Sequence, residues 1–181
     1  RLQKEARRWE GVATACEAVH RSVALTDVLE AIARGVVDAL GFRMAVINVR
    51  RNDMFDVMAI VAPPEAVEKL SGQQIPWSEF ADLMQEKFRV SHSYLIRHDQ
   101  VDWEKLSMGS RIYRPDLPER GEGYWHPDDM LLIPMYYDGE LIGILSVDDP
   151  EDGLIPSMSA IQTLEVFANQ AAVAIAKARL F

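Results

Sequence analysis

Two pairs of adjacent aspartates are the residues of this sequence that come nearest to an acid–base site. Asp128–Asp129 and Asp148–Asp149 each place two carboxyl groups side by side. Catalysis by two carboxyl groups requires them to face each other across a cleft with different pKa values. Adjacent residues at strand ends point in different directions, so both pairs are interpreted as loop-ending and turn-forming residues. We therefore expect no catalytic residues and no enzyme activity.

The four histidines offer a second kind of chemistry. His20, His92, His98 and His126 follow no metal-binding signature, and we predict no metal site. A haem or metal at the rim of a cavity, held by His92, His98 or His126, is one alternative. Surface or hydrogen-bonded histidines are the other, and the absence of a signature favours it.

The single cysteine and the net charge limit the remaining classes. Cys16 alone excludes an internal disulfide framework and a multi-thiolate site built from one chain, and it suits a reducing compartment. A net charge of −9 repels phosphate backbones and anionic lipids, so nucleic acids and membranes are poor partners. No membrane span or signal peptide is visible. We expect a cytoplasmic domain, and the initial Arg1 indicates a piece of a longer protein.

Aromatic residues are concentrated in the middle of the chain, where the apolar periodicity is lost. Residues 97–129 show no helical or strand period, yet they include Trp103 and Tyr124. Long loops in compact domains are usually functional or disordered. The aromatic content of this segment favours an ordered loop that covers another part of the domain. The aromatic residues either line a small-molecule site or fill the core of the cover. The candidate ligand-binding residues are Trp77, Phe80, Tyr94, Ile96, His98, Tyr113, Trp125, His126 and Ile133.

Both ends of the chain carry apolar residues at alternating steps of three and four. This heptad pattern predicts helices that pack along another long helix. Thr26 and Asp27 are cap-type residues with Glu30 at capping-box distance, so a separate second helix is predicted to begin there and to end at Gly41. The candidate dimer-interface residues are Trp9, Ala13, Cys16 and His20 in the first helix and Leu164, Ala168, Ala171 and Ile175 in the last.

The strands are predicted from period-two alternation and turn residues. Asp138-Gly139 is the two-residue signal of a type I′ hairpin, and Pro150 is predicted to end the strand that follows it. A short helix is predicted over 65–70, and a further helix is predicted from Ser78 with Phe80, Leu83, Met84 and Phe88 on one face. The predicted strands cover residues 42–50, 55–61, 91–96, 130–137 and 140–147.

The last third of the sequence is its most distinctive part. The segments Leu132–Met135, Asp138–Val147 and Phe167–Ile175 resemble the C-terminal half of a GAF domain, and the order of elements agrees over nearly the whole chain. The resemblance implies an α+β fold, the α/β GAF-like architecture. It has a central antiparallel sheet of five to six strands with the terminal helices on one face. Cavity helices and the long loop lie on the other face.

The resemblance also implies an organisation and a function. It implies a terminal signalling helix over 1–22, a GAF core over 23–156 and a second signalling helix over 157–181. The terminal helices would pair in a parallel homodimer and continue into a fused output domain, such as a histidine kinase or diguanylate cyclase domain. The implied function is small-molecule sensing in signal transduction. The alternatives are a ligand-free dimerisation and linker module or, further off, a haem or redox sensor.

The family does not fix the ligand, because its members bind cyclic nucleotides, haem, bilins and small metabolites. Those that reduce free methionine sulfoxide or attach a bilin need cysteines at the pocket. Cys16 lies instead in the predicted first helix, so neither chemistry is expected. The Asn-Lys-Phe-Asp-Glu motif of cyclic-nucleotide GAF domains is also absent. The cofactor and the ligand remain unknown at this point.

Overall fold

The computed structural model describes residues 2–180, with side chains described for all of these except 2–5, 18–19, 21–22 and 180. The protein is an α+β domain, as predicted. The α-helices are α1 (Leu2–Leu40), α2 (Pro64–Leu70), α3 (Trp77–Ala81) and α4 (Met158–Leu180). The strands are β1 (Phe42–Arg51), β2 (Met54–Val61), β3 (Gln74–Pro76), β4 (Arg89–Val90), β5 (Ser93–Ile96), β6 (Met130–Tyr137) and β7 (Glu140–Pro150).

All seven strands form one antiparallel sheet in the order β3-β2-β1-β7-β6-β5-β4. Five or six strands were expected. The difference comes from β3 and β4, which have three and two residues and are too short to show a period-two pattern. The β6–β7 hairpin was predicted correctly, since Asp138 and Gly139 have φ angles of 51° and 78°. A type I′ turn requires positive φ at both of these positions.

The terminal helices cover one face of the sheet. Leu131 and Ile133 of β6 point toward them, and Leu29 of α1 and Leu164 of α4 fill the same core. Fully burying a Leu or Ile side chain stabilises the fold by about 1.5–3 kcal/mol. We call this side of the sheet the helix face.

The opposite side of the sheet, the loop face, is covered by α2, α3 and residues 97–129. Leu132 and Ile144 point to this side, where Phe80 and Trp103 pack against them. Two short 3-10 turns, Trp103–Lys105 and Ser107–Ser110, interrupt the long loop. Residues 97–129 are therefore an ordered cover, as their aromatic content indicated.

The first helix differs from the prediction. α1 is one continuous helix of 39 residues, whereas two helices were expected with a boundary near Thr26 and Asp27. A capping box acts only where the preceding residue leaves the helical conformation. No proline or glycine lies between Gly11 and Gly35 to force that change, so the helix continues. The described side chains of residues 6–24 are all exposed, and this part of α1 extends about 28 Å at 1.5 Å per residue.

Smaller differences concern three other elements. α3 begins at Trp77 rather than Ser78 and ends at Ala81, so Phe88 lies in a separate 3-10 turn. β7 continues past Val147 to Pro150, which stands opposite Phe42 at the end of the ladder. A proline is tolerated at an end position that needs no donor. Among the described residues, no helix is long and apolar enough to cross a bilayer.

Candidate functional site

A cavity of about 90 Å³ lies on the loop face of the sheet. Its floor is formed by Met44 and Val46 of β1 and by residues 146–148 of β7, and the cover contributes Tyr113. At about 30 Å³ per water molecule, this volume holds about three waters. Drug-sized ligands occupy about 300–1,000 Å³. In this conformation the cavity therefore accepts only a very small molecule.

Asp148 is the polar group on the floor of this cavity. Its Oδ1 accepts hydrogen bonds from the Trp125 indole Nε1 at 2.7 Å and from the Asp149 backbone N–H at 2.8 Å. Burial of the carboxyl group raises the pKa of Asp148 to about 8. The nearby Asp149 and Asp129 carboxylates also raise this pKa, whereas the two hydrogen bonds lower it. The part of the side chain that protein does not cover borders the cavity. Asp148 is therefore largely protonated at neutral pH.

Asp129 fastens the two ends of the long loop. Its buried carboxylate accepts the backbone N–H of His98 at 2.7 Å and that of His126 at 2.8 Å. Arg97 Nε donates to the same carboxylate at 3.1 Å. The other two guanidinium nitrogens of Arg97 donate to the backbone carbonyl oxygens of Glu122 and Tyr124. This is the loop-ending role expected from the sequence.

The wall between the cavity and the outer surface is held by Asp128 and Trp103, which line both the cavity and a groove outside it. Trp103 Nε1 donates to the Asp128 carbonyl oxygen at 2.9 Å, and Arg114 Nε lies 2.6 Å from the Asp128 carboxylate. Because Arg114 is partly exposed, this ion pair contributes about 0–1 kcal/mol. The wall therefore depends mainly on Trp103, which is buried in the loop-face core, and little on the ion pair.

The histidines lie outside the cavity. His98 and His126 stack with ring centroids 3.8 Å apart, and His126 Nδ1 accepts the Asp128 backbone N–H at 3.0 Å. His92 donates its backbone N–H to Glu165, and His20 is exposed on α1. Within the described part of the chain, no three His, Cys, Asp or Glu side chains are arranged to hold a metal ion.

The structure distributes the predicted ligand-binding residues over several places. Tyr113 lines the cavity. Trp77, Phe80 and Ile96 pack into the apolar core of the loop face, with Tyr94 against it. These side chains fill the cover, which was the second interpretation of the aromatic residues.

Two further predicted residues belong to the core of the helix face. Ile133 points toward the terminal helices because it has the same strand parity as Leu131. The Trp125 ring is buried with that core, and only its indole N–H reaches Asp148. Neither residue lines the cavity.

Sequence reasoning missed most of the residues that line the cavity. Ser146 and Asp148 alternate with the apolar Leu145 and Val147 on β7, and period two places both polar side chains on one face. That alternation was the available signal. Trp103, one of the aromatic residues of the cover considered for a small-molecule site, also lines the cavity. The other residues that line the cavity but were not predicted to do so are Met44, Val46, Leu70, Ile112, Pro127, Asp128, Asp129, Met130 and Val147.

The predicted dimer residues separate into two groups. Trp9, Ala13, Cys16 and His20 are exposed on α1. In α4 the heptad pattern faces inward, because these side chains pack on the chain's own sheet and are at most 1% exposed. The prediction of an interface there is corrected accordingly; it concerned Leu164, Ala168, Ala171 and Ile175.

The outer surface of α4 carries other apolar residues. Val166 and Val173 are 56% and 41% exposed. Val173 also lines a shallow, largely apolar groove between α4 and α1, together with Leu25 and Val28.

Comparison with known proteins agrees with this architecture. The GAF domain family model matches residues 24–175, and no curated protein matches the chain. A GAF domain/HD domain protein from Geobacter sulfurreducens superposes with a TM-score of 0.65 at 14% identity, covering 87% of this chain and 95% of that one. A methyl-accepting chemotaxis protein segment superposes with a TM-score of 0.59 at 21% identity, covering 86% and 91%.

An enzyme is also among the structures with this fold. The type II free methionine-R-sulfoxide reductase from Thermoplasma acidophilum superposes with a TM-score of 0.54 at 12% identity, covering 87% of this chain and 96% of that one. At these identities the superpositions show a common fold. Because the family model covers most of the sequence and the sheet, helices and cover follow the same plan, this chain belongs to the GAF domain family.

Proposed function

We propose that this GAF domain is a non-catalytic sensor, which binds a small molecule and relays its binding through the terminal helices of a homodimer. The observation that carries the proposal is the cavity on the loop face, whose floor holds the Asp148 carboxyl group. The same strands, β1, β6 and β7, contact α1 and α4 on their other face. The cavity and the terminal helices are therefore separated by a single layer of strands, through which a structural change at the cavity can reach the helices.

Glu165 of α4 supplies a direct connection between a terminal helix and the loop face. Its carboxylate accepts hydrogen bonds from Ser91 Oγ, the His92 backbone N–H and Ser93 Oγ, each at 2.7 Å. Ser91 has a φ of 58°, an uncommon conformation for a non-glycine residue. β5 leads from this turn directly into residues 97–129, so a movement of the cover is transmitted to α4.

The relay requires the ligand to bind the two helix arrangements with different affinities. Large exposed side chains on α1 favour a partner helix, since Trp9 and Val12 are 74% and 54% exposed. The groove formed by Leu25, Val28 and Val173 extends this apolar surface onto the core. We propose a cytoplasmic signalling protein as the setting, with an output domain fused to these helices.

The absence of catalysis is also part of the proposal. A reductase mechanism with pocket cysteines has no support, because the sole cysteine, Cys16, is exposed on α1 and does not line the cavity. A haem sensor is likewise poorly supported, since a cavity of about 90 Å³ is too small for a haem and has no histidine among its lining residues.

A ligand-free dimerisation and linker module is the second candidate function. The specific observation that favours it is the same small volume, about 90 Å³, which is well below the usual size of a ligand site. In this alternative the cover is permanently packed and the terminal helices only align neighbouring domains.

Native mass spectrometry of protein purified from its own host distinguishes the two functions. A sensor retains a small molecule, and Ser146→Leu, which adds bulk at the cavity floor, removes it. The exposed Ser78→Leu is the matched control and retains the molecule. If the wild-type protein carries none and Ser146→Leu leaves signalling by the full-length protein unchanged, the sensor proposal is wrong and the linker stands.

A further inference from the structure

We infer that the cavity selects a small organic ammonium ion, which pairs with the free carboxylate oxygen of Asp148. This inference rests on the proposed sensing function and adds the chemical class of the ligand. It follows from hydrogen bonding, charge and shape at the cavity, each of which is described below.

The two oxygens of Asp148 have different surroundings. Oδ1 is occupied by the Trp125 indole and the Asp149 backbone N–H. Oδ2 accepts no hydrogen bond from any residue that the structure describes, although Asp148 lies in the cavity wall. Because Asp148 lines the cavity, this oxygen can accept a hydrogen bond from a donor placed there.

Of the two aspartate pairs, Asp148 is the member for which the described residues supply no cationic partner. The three neighbouring carboxylates each have a guanidinium partner: Arg114 lies 2.6 Å from Asp128, Arg97 lies 3.1 Å from Asp129, and Arg43 lies 3.2 Å from Asp149. Within the described residues, Asp148 takes part in no such pair. A cationic ligand would complete the pattern.

Several carboxylates lie close to Tyr113, which also lines the cavity. Burial raises the pKa of the Tyr113 hydroxyl, and the carboxylates of Glu65, Asp148, Asp149 and Asp116 raise it further. Burial is the larger cause of this shift, and the four carboxylates add to it; their negative charge attracts cations and repels anions. Anionic metabolites are therefore disfavoured in this cavity.

The shape of the cavity favours an organic cation over a metal ion. Apolar side chains of Met44, Val46, Ile112 and Met130 form much of its wall and suit a short hydrocarbon group. Calcium takes six to eight oxygen ligands, whereas Asp148 offers one free oxygen. The volume of about 90 Å³ limits the ligand to a few heavy atoms.

Binding of such a cation is linked to a proton. Near pH 7 the empty site holds Asp148 mainly protonated, because its pKa is about 8, and an ammonium ion pairs with the ionised form. Binding therefore releases a proton, and affinity rises by up to about tenfold per pH unit below pH 8. The ionisable groups close to Asp148 are Tyr113, Asp128 and Asp129 of the cover, Asp149 of β7, and Arg43, which pairs with Asp149.

Ethylammonium chloride is the probe, with ethanol and sodium acetate as neutral and anionic molecules of similar size. The Trp125 indole N–H is the reporter in ¹⁵N-correlated spectra, because it donates to Asp148. We expect ethylammonium to shift this signal and to bind at least tenfold more tightly than ethanol or acetate. The affinity should also increase between pH 6 and pH 8.

The variant Asp148→Asn keeps an oxygen acceptor for the Trp125 indole and for the Asp149 N–H, so the fold is retained. It should bind ethylammonium at least tenfold more weakly and lose the pH dependence. The control is Asp38→Asn, at an exposed position of α1, which should bind as the wild type does. Dispersed backbone amide signals that match those of the wild type verify that Asp148→Asn is folded.

Two results overturn the inference and separate it from the sensing proposal. If ethylammonium binds no better than ethanol, or Asp148→Asn binds it equally well, the ammonium class is wrong. A neutral or anionic molecule that co-purifies and is displaced by Ser146→Leu would then leave the sensing function standing. If no small molecule binds and Ser146→Leu signals normally, both fail.

Discussion

The two faces of the sheet are built on different principles. On the helix face, apolar side chains of α1, α4 and the strands interlock in one core whose members are almost fully buried. On the loop face, a smaller core surrounds a cavity that contains carboxyl groups. The larger apolar core thus lies on one side of a single sheet, and the proposed binding site lies on the other.

The difference has a physical origin in what covers each face. Long helices present continuous apolar surfaces that pack at interior density, whereas an irregular cover must satisfy its backbone through side chains such as Asp129 and Arg97. Those polar side chains leave space and charge beside the strands. The helix face should therefore respond to lost volume, and the loop face to pH and charge.

Asp148 should give the loop face the larger pH response. The folded protein holds its proton up to about pH 8, but the unfolded chain releases it near pH 4, so this contribution to stability is lost as pH rises between these values. Relative to Asp148→Asn, wild-type protein should lose up to about 1.4 kcal/mol per pH unit, or about 4 kcal/mol from pH 5 to pH 8. Urea unfolding of both proteins across this range measures the difference.

Asp38→Asn, at an exposed position, should track the wild type at every pH. Parallel stability curves for wild type and Asp148→Asn would mean that the Asp148 carboxyl group is well solvated. The loop face would then lack the contrast in charge described above.

Loss of volume should be felt on the helix face. Leu164 is completely buried in that core, so Leu164→Ala should lower the free energy of unfolding by about 3 kcal/mol through lost burial and an unfilled cavity. Val166, two residues further along α4, is 56% exposed, and Val166→Ala should change stability by less than about 0.5 kcal/mol. Denaturant unfolding of the two variants provides the measurement. Equal losses would show that α4 does not seat on the sheet as described.

The connection between the two faces through Glu165 should have an intermediate effect. Glu165→Ala removes an acceptor of three hydrogen bonds, and we expect a loss of about 2 kcal/mol. Hydrogen exchange at the His92 amide should accelerate at least tenfold, because that N–H loses its partner. Gln162→Ala, at an exposed position of the same helix, is the control and should leave both quantities unchanged. Unaltered exchange at His92 would remove the proposed route from cover to helix.

Much of the architecture could be read from local patterns. Alternation placed β6 and β7 correctly, and Asp138-Gly139 specified their turn, because few residues other than these adopt two successive positive φ angles. The ordered nature of residues 97–129 also followed from their aromatic content. Only β3 and β4, with three and two residues, were not predicted, because strands of this length are too short to show a period-two pattern.

The candidate site was predicted much less well. Of the nine predicted ligand-binding residues, the structure places Tyr113 on the cavity wall, while Ile133 faces the helices. Residue type identified aromatic side chains in the cover, but it did not distinguish those that fill space from those that leave it open. That distinction depends on neighbours far away in the chain, such as Phe55 against Trp77 and Phe80.

By itself, the sequence determined the order of elements, the hairpin and the apolar surface of each terminal helix, since these depend on spacing over a few residues. The tertiary structure alone decided that the heptad pattern of α4 faces its own sheet and that α1 continues past Asp27. It also decided which members of the two aspartate pairs have a cationic partner, because Arg114, Arg97 and Arg43 reach Asp128, Asp129 and Asp149 across 14, 32 and 106 positions of the chain. The period of a helix or strand determines the direction in which each side chain points, whereas the partner of that side chain depends on how the whole chain packs.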